Sequence, residues 1–156
     1  MSKKIKGLSK NALYVVAVVI FISIFLITSF SGNHKVSDIK EVSIAGKNIK
    51  VEVAASQSSQ EQGLSGHIRL KDDEGMLFAF DHSAKYYFWM KEMTFPIDII
   101  WISQDKKVIY IKQNATPKDG LKTFGPDTDS MYVLEVNSGF SDKNNLQIGD
   151  KIKFIY

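Results

Sequence analysis

The chain has 156 residues, 24% of them charged, a formal net charge of +3 and no cysteine. That length suits one domain with an appendage rather than two full domains, and the absence of cysteine excludes disulfides, thiolate chemistry and a lipid-modified cysteine anchor. Lys3, Lys4, Lys6 and Lys10, with no acid beside them, put +4 in residues 1–34, so a total of +3 leaves −1 for the rest; that balance excludes a nucleic-acid footprint there.

Residues 12–30 read ALYVVAVVIFISIFLITSF, without a charge, proline or glycine. As a helix this run would rise about 28 Å, close to the hydrocarbon thickness of a bilayer. The lysines just before it predict a cytoplasmic N-terminus and a C-terminal domain outside the cell membrane. The alternative is a cleaved signal peptide with Ser29 and Ser31 ahead of the cut, but the run exceeds the roughly 7–15 apolar residues of a signal. The expected organisation is a basic tail (1–11), a signal-anchor helix in the cytoplasmic membrane (12–30), a polar tether (31–40) reaching at most ~35 Å, and an outer domain (41–156).

In the outer domain, residues 42–44 and 49–54 read as strands around the hairpin signal Ala45-Gly46-Lys47-Asn48. Ile49, Val51 and Val53 alternate with Lys50 and Glu52, so one face is buried. Ser58-Ser59-Gln60-Glu61 has capping-box spacing and predicts a short helix ending near Gly63 or Gly66. Residues 75–80 (GMLFAF) and 86–90 (YYFWM) are apolar, aromatic strand candidates. Residues 97–103 and 108–112 flank a second hairpin turn, residues 115–130 form a long loop, and 131–137 return as a strand. Ser141 is expected to cap a single helical turn, and Gly149-Asp150 to turn into a last strand, 151–156. The fold class is therefore mainly β (α+β): a small antiparallel barrel or sandwich of about eight short strands with one or two short helices, preceded by one transmembrane helix.

Several blocks resemble the DUF192 (UPF0127) family of uncharacterised proteins: Gly63-Leu64, Glu74-Gly75-Met76-Leu77-Phe78 with Phe80, Phe88-Trp89-Met90-Lys91, Pro96-Ile97-Asp98-Ile99, Tyr132 to Asn137, and Gly149-Asp150. The resemblance spans roughly residues 49–155. His67 stands where the family commonly has arginine, and Glu92-Met93 replaces a frequent Asn-Thr. The resemblance implies a β-rich fold, often behind an export signal, and it supplies no activity.

Asp98 is the most informative polar residue. On a strand it shares a face with Ile100 and Ile102 while Ile97, Ile99 and Trp101 take the other, and a carboxylate between two apolar faces needs a partner. Glu135, on a face with Val133 and Asn137, raises the same question, and Lys91 is the nearest cation in the chain. The candidate site is Asp98, Lys91 and Glu135 close together, with Trp89 beside them and His67 at the rim. The structural alternative is a salt bridge, or a carboxylate bonded by loop N–H groups. Across residues 86–91, alternation sends Tyr86, Phe88 and Met90 one way and Tyr87, Trp89 and Lys91 the other, and an exposed Trp/Tyr face is a platform for sugar rings or peptide side chains. The three histidines have no ligand spacing. Met76, Met90 and Met93 read as core filling rather than a copper site, and no serine stands in a nucleophile-elbow context. No metal and no cofactor is expected.

Two functions from different classes follow. The first is a membrane-tethered extracytoplasmic binding or accessory module recognising an envelope glycan or peptide. The second is an envelope-acting hydrolase using Asp98 or Glu135 as acid or base with Lys91 as electrostatic stabiliser.

Overall fold

A computed structural model of the chain describes residues 35–156, together with Val16, Val19, Ile20 and Phe21, which are helical. The expected membrane segment 12–30 otherwise lies outside the described residues, among which no helix is long and apolar enough to cross a membrane. Residues 35–156 form one compact unit, which carries the sheet.

Seven strands build that sheet: β1 (Glu41–Ile44), β2 (Lys47–Ala54), β3 (Glu74–Ala84), β4 (Ile97–Ile102), β5 (Val108–Ala115), β6 (Ser130–Asn137) and β7 (Lys153–Ile155), in the order β5-β4-β6-β3-β2-β1-β7. Two short helices accompany them, α1 (Gln57–Gln62) and α2 (Phe140–Lys143). The β1–β2 hairpin closes with two residues, Ala45 and Gly46, both at positive φ (48° and 71°). This is the primed turn whose twist matches paired strands.

The segment leading into β7 bonds back to the start of β5 (Val108 N–H to the Asp150 carbonyl, 2.9 Å; Gly149 N–H to the Val108 carbonyl, 2.8 Å). The sheet thus curls into a half-barrel. Its concave core holds Val42, Ile44, Leu77, Ile100, Leu134 and Phe140. A second core lies on the other face, around Met76, Phe78, Ile99, Trp101 and Val133. All six residues of β4 are buried, because both faces of the central strands are covered.

Four expectations need correction. The sheet is mixed: β2 pairs in parallel with β3 (Lys50 opposite Glu74, Ala54 opposite Phe78), because α1 and the chain after it return to the starting end of β2 before β3 begins. Among the described residues there are seven strands rather than about eight, since residues 86–90 form no strand; only Phe88 of that segment bridges, to Phe124. Their aromatic content favours β structure, yet the half that points inward docks on core rings instead of on a partner strand. Helix α1 is capped by Ser56, not Ser58: the Ser56 hydroxyl accepts from the Ser59 N–H (3.2 Å) and Ser59 Oγ accepts from the Ser56 N–H (3.1 Å). Gly63, at φ 52°, ends the helix as expected. Finally, Ser141 caps nothing; the first turn of α2 is held from outside by Asp98.

Candidate functional site

Asp98 lies on β4 opposite a bulge. Ile97 pairs with Ala115 but Ile99 with Lys112, so Gln113 and Asn114 together face Asp98, and Asn114 takes a left-handed φ of 49°. The carboxylate, with 0% exposure, accepts the Asn114 N–H (2.9 Å) and the Gly139 N–H (3.1 Å) on Oδ1 and the Ser141 N–H (2.8 Å) on Oδ2. Two chain segments, the bulge at residue 114 and the turn at 139–141, are thereby fastened to one side chain. The Ser138 hydroxyl donates to Asn114 Oδ1 and ties the bulge to the same turn. Backbone N–H groups satisfy this carboxylate, as loop bonding would.

Glu135 lies elsewhere. On β6 it pairs with Ile99 of β4 and Met76 of β3, whereas Asp98 pairs with Val136. Cross-strand partners share a face and successive residues alternate, so Asp98 faces the concave core and Glu135 the opposite one. Lys91, half exposed, places its ammonium 3.7 Å from the Glu92 carboxylate. The structure therefore does not assemble Asp98, Lys91 and Glu135 into one cluster. The compensation for Asp98 comes from residues 114 and 139–141, distant in sequence, which a search for the nearest cation cannot find. His67 is not at this rim either; it lines a separate depression with Arg69, Glu52 and Glu74, and its carbonyl accepts the Thr94 hydroxyl (3.1 Å).

Three of the five expected residues do meet. Glu135, Lys91 and Trp89 line one small cavity of about 50 Å³, with Glu61, Phe78 and Phe88 among its walls. Glu135 is 4% exposed, and among the described residues its carboxyl has neither a hydrogen-bond nor an ion-pair partner. Burial alone pushes its pKa up to about 8, because an ion in an apolar surround loses its hydration. At neutral pH the group is therefore mostly a neutral carboxylic acid.

The cavity adjoins a groove of about 260 Å³ between α1 and the extended segment 86–89, with Phe78 and Phe80 along it. Gln60, Glu61, Phe78, Phe88 and Trp89 border both spaces. The alternation expected for residues 86–91 holds without a strand: Tyr87 is 54% and Trp89 52% exposed, while Met90 is buried at 1%. The segment is pinned beneath. The buried Trp101 indole N–H donates to the Tyr86 carbonyl (2.8 Å), the Phe88 ring stands edge-on to Phe78 and Trp101, and Tyr86 stacks on Phe80 at 3.5 Å between centroids.

Much of the groove's polar capacity is already used. Gln60 Nε2 donates to the Ala79 (2.8 Å) and Ala54 (3.3 Å) carbonyls, the Tyr86 hydroxyl to the His82 carbonyl (2.9 Å), and Gln57 Nε2 to Glu61 Oε1 (2.9 Å). Glu61, exposed at the mouth of the cavity, was not foreseen from the sequence. Its only signal was a place on the helix just before Gly63-Leu64. Among the described residues, no group of three or more His, Asp or Glu side chains is placed to hold a metal ion.

Comparison with known proteins places this geometry in a family. The model of the DUF192 family, described as uncharacterised, matches residues 40–154. No curated protein matches. Among solved structures, a protein of unknown function from Novosphingobium aromaticivorans DSM 12444 is 31% identical, with a TM-score of 0.69 over 77% of this chain and 89% of that one. Another, from Sinorhizobium meliloti 1021 and described as a "putative transcription regulator", is 29% identical, with a TM-score of 0.68 over 73% of this chain and 90% of that one.

Proposed function

The chain belongs to the DUF192 family, and we propose that residues 41–156 are an extracytoplasmic binding module, tethered to the membrane through residues 12–30, that holds a peptide segment in the aromatic groove. The observation that carries this reading is the groove itself: half-exposed Tyr87 and Trp89 beside an opening that ends at a buried carboxyl without a partner. Large exposed aromatic rings next to a convergent polar group are the usual make-up of a binding site.

A peptide suits the groove better than a glycan. Sugar rings need many free donors and acceptors around the stacking face, and here the Gln60 amide protons and the Tyr86 hydroxyl proton are already given to carbonyls. Apolar and long-stemmed side chains need only the ring faces. A hydrolase built on Asp98 has no support in this arrangement, because three backbone N–H groups enclose that carboxylate on the far side of the sheet.

The chain has two tryptophans, and Trp101 is fully buried, so ligand-dependent fluorescence reports Trp89. A pool of short synthetic peptides should quench the emission of the full-length chain in detergent, and Trp89→Ala should abolish the response. Quenching by chito- or cello-oligosaccharides but not by peptides would make the ligand class wrong. No response to either would overturn the groove as a binding site.

A further inference from the structure

We propose that the cavity at Glu135 is a receptor for a primary ammonium group on an alkyl stem, as carried by a lysine-like side chain. This rests on the groove being a peptide site and names the group the groove selects.

Three features of the site converge on that guest. The first is an unmet need: Glu135, more than nine-tenths buried, lines the cavity with no partner among the described residues. Buried carboxyls are ordinarily paired, and the cavity is the side from which Glu135 can receive a cation or a hydrogen-bonding group. The second is the wall. Phe78, Phe88 and Trp89 border the space, and the faces of such rings attract a desolvated ammonium. The third is shape. A cavity of about 50 Å³ at the end of a groove of about 260 Å³ is too small for a sugar ring or a guanidinium plane. It admits a narrow charged tip, while the groove holds the methylene stem against aromatic surface.

The charged groups facing Glu135 across the cavity are Glu61 from α1 and Lys91 from the chain after Trp89; its neighbours on β3 and β4 are the apolar Met76 and Ile99. With Glu135 ionised the lining holds two carboxylates against one ammonium, and that lysine is half exposed and directed at Glu92. The cavity is therefore complementary to one further positive charge. Because burial holds Glu135 protonated near neutrality, an ammonium that enters must drive its proton into solvent.

That coupling is the test. The probe is Nα-acetyl-lysine-N-methylamide, titrated into the full-length chain in detergent and followed by Trp89 fluorescence and by calorimetry in buffers of different ionisation enthalpy. At pH 7 binding should release close to one proton, and affinity should rise roughly tenfold per pH unit up to about pH 8 and then level. Nα-acetyl-norleucine-N-methylamide, which lacks the charge, should bind at least tenfold more weakly. Glu135→Gln should abolish both the proton release and the pH dependence, with circular dichroism unchanged. Equal affinity for the two probes, or no proton release, overturns the ammonium site even if peptides still quench Trp89. Loss of all peptide quenching would instead remove the groove reading on which it stands.

Discussion

Asp98 and Glu135 lie on neighbouring strands of one sheet yet point to opposite faces, Asp98 opposite Val136 and Glu135 opposite Ile99. One residue of register decides their fates. Asp98 faces the bulge of β5 and the start of α2 and takes up three backbone N–H groups; Glu135 faces a small cavity with charged and aromatic walls and has none. The first is a fastening, and the second is the group on which the proposed ammonium site rests.

Asp98→Asn keeps the shape but turns one acceptor into a donor facing an N–H. With two of three bonds at most retained, the variant should lose about 2–4 kcal/mol, read as a lowered urea midpoint. Lys91→Ala should leave the midpoint nearly unchanged, since its ion pair with Glu92 is exposed. A comparable loss from Lys91→Ala would show that lysine to be structural after all.

Glu135 predicts a pH dependence of definite sign. Its folded pKa, about 8, lies above the unfolded value of 4.5, so between these values the folded state binds the extra proton. Its contribution to stability is fully present below pH 4.5 and lost as pH rises through 8. On the order of 3 kcal/mol should be gone by pH 7. Urea midpoints of the unliganded chain should fall from pH 5 to pH 8, and Glu135→Gln should flatten that fall. An equal slope in both proteins would show that Glu135 titrates normally.

Gly125 offers a way to disturb the groove without substituting any of its rings. A Cβ there would lie 2.7 Å from the Tyr87 ring and 2.8 Å from the Tyr86 carbonyl. Gly125→Ala should therefore shift the 86–89 segment and weaken the Trp89 response to peptides several-fold, at a stability cost of roughly 1–3 kcal/mol. Unaltered binding would mean that the position of Tyr87 is irrelevant to the ligand.

Topology is checked separately. Protease added to cells stripped of outer wall barriers should remove or nick residues 36–156, whereas the membrane fraction of untreated cells should hold the full-length chain. Protection until lysis would reverse the proposed orientation, and a soluble product beginning near Gly32 would indicate cleavage.

What the sequence determined was periodic and local. The alternation of Ile49, Val51 and Val53, a turn within Ala45-Gly46-Lys47-Asn48, a helix stop near Gly63 or Gly66 and the in-and-out pattern of residues 86–91 all follow from one residue and its neighbours, and each holds in the structure, the turn closing on Ala45-Gly46 and the helix ending at Gly63. The DUF192 blocks, being ordered sequence, were legible too. What only the tertiary structure decided were relations between distant segments: the parallel pairing of β2 with β3, the three N–H groups that reach Asp98 from residues 114, 139 and 141, and the presence of Glu61 and Glu135 at one cavity. Period two assigns a side chain to one of two faces but not what covers that face. That depends on which strands become neighbours and in what register, and these are set by the burial of the whole sheet rather than by any stretch of it.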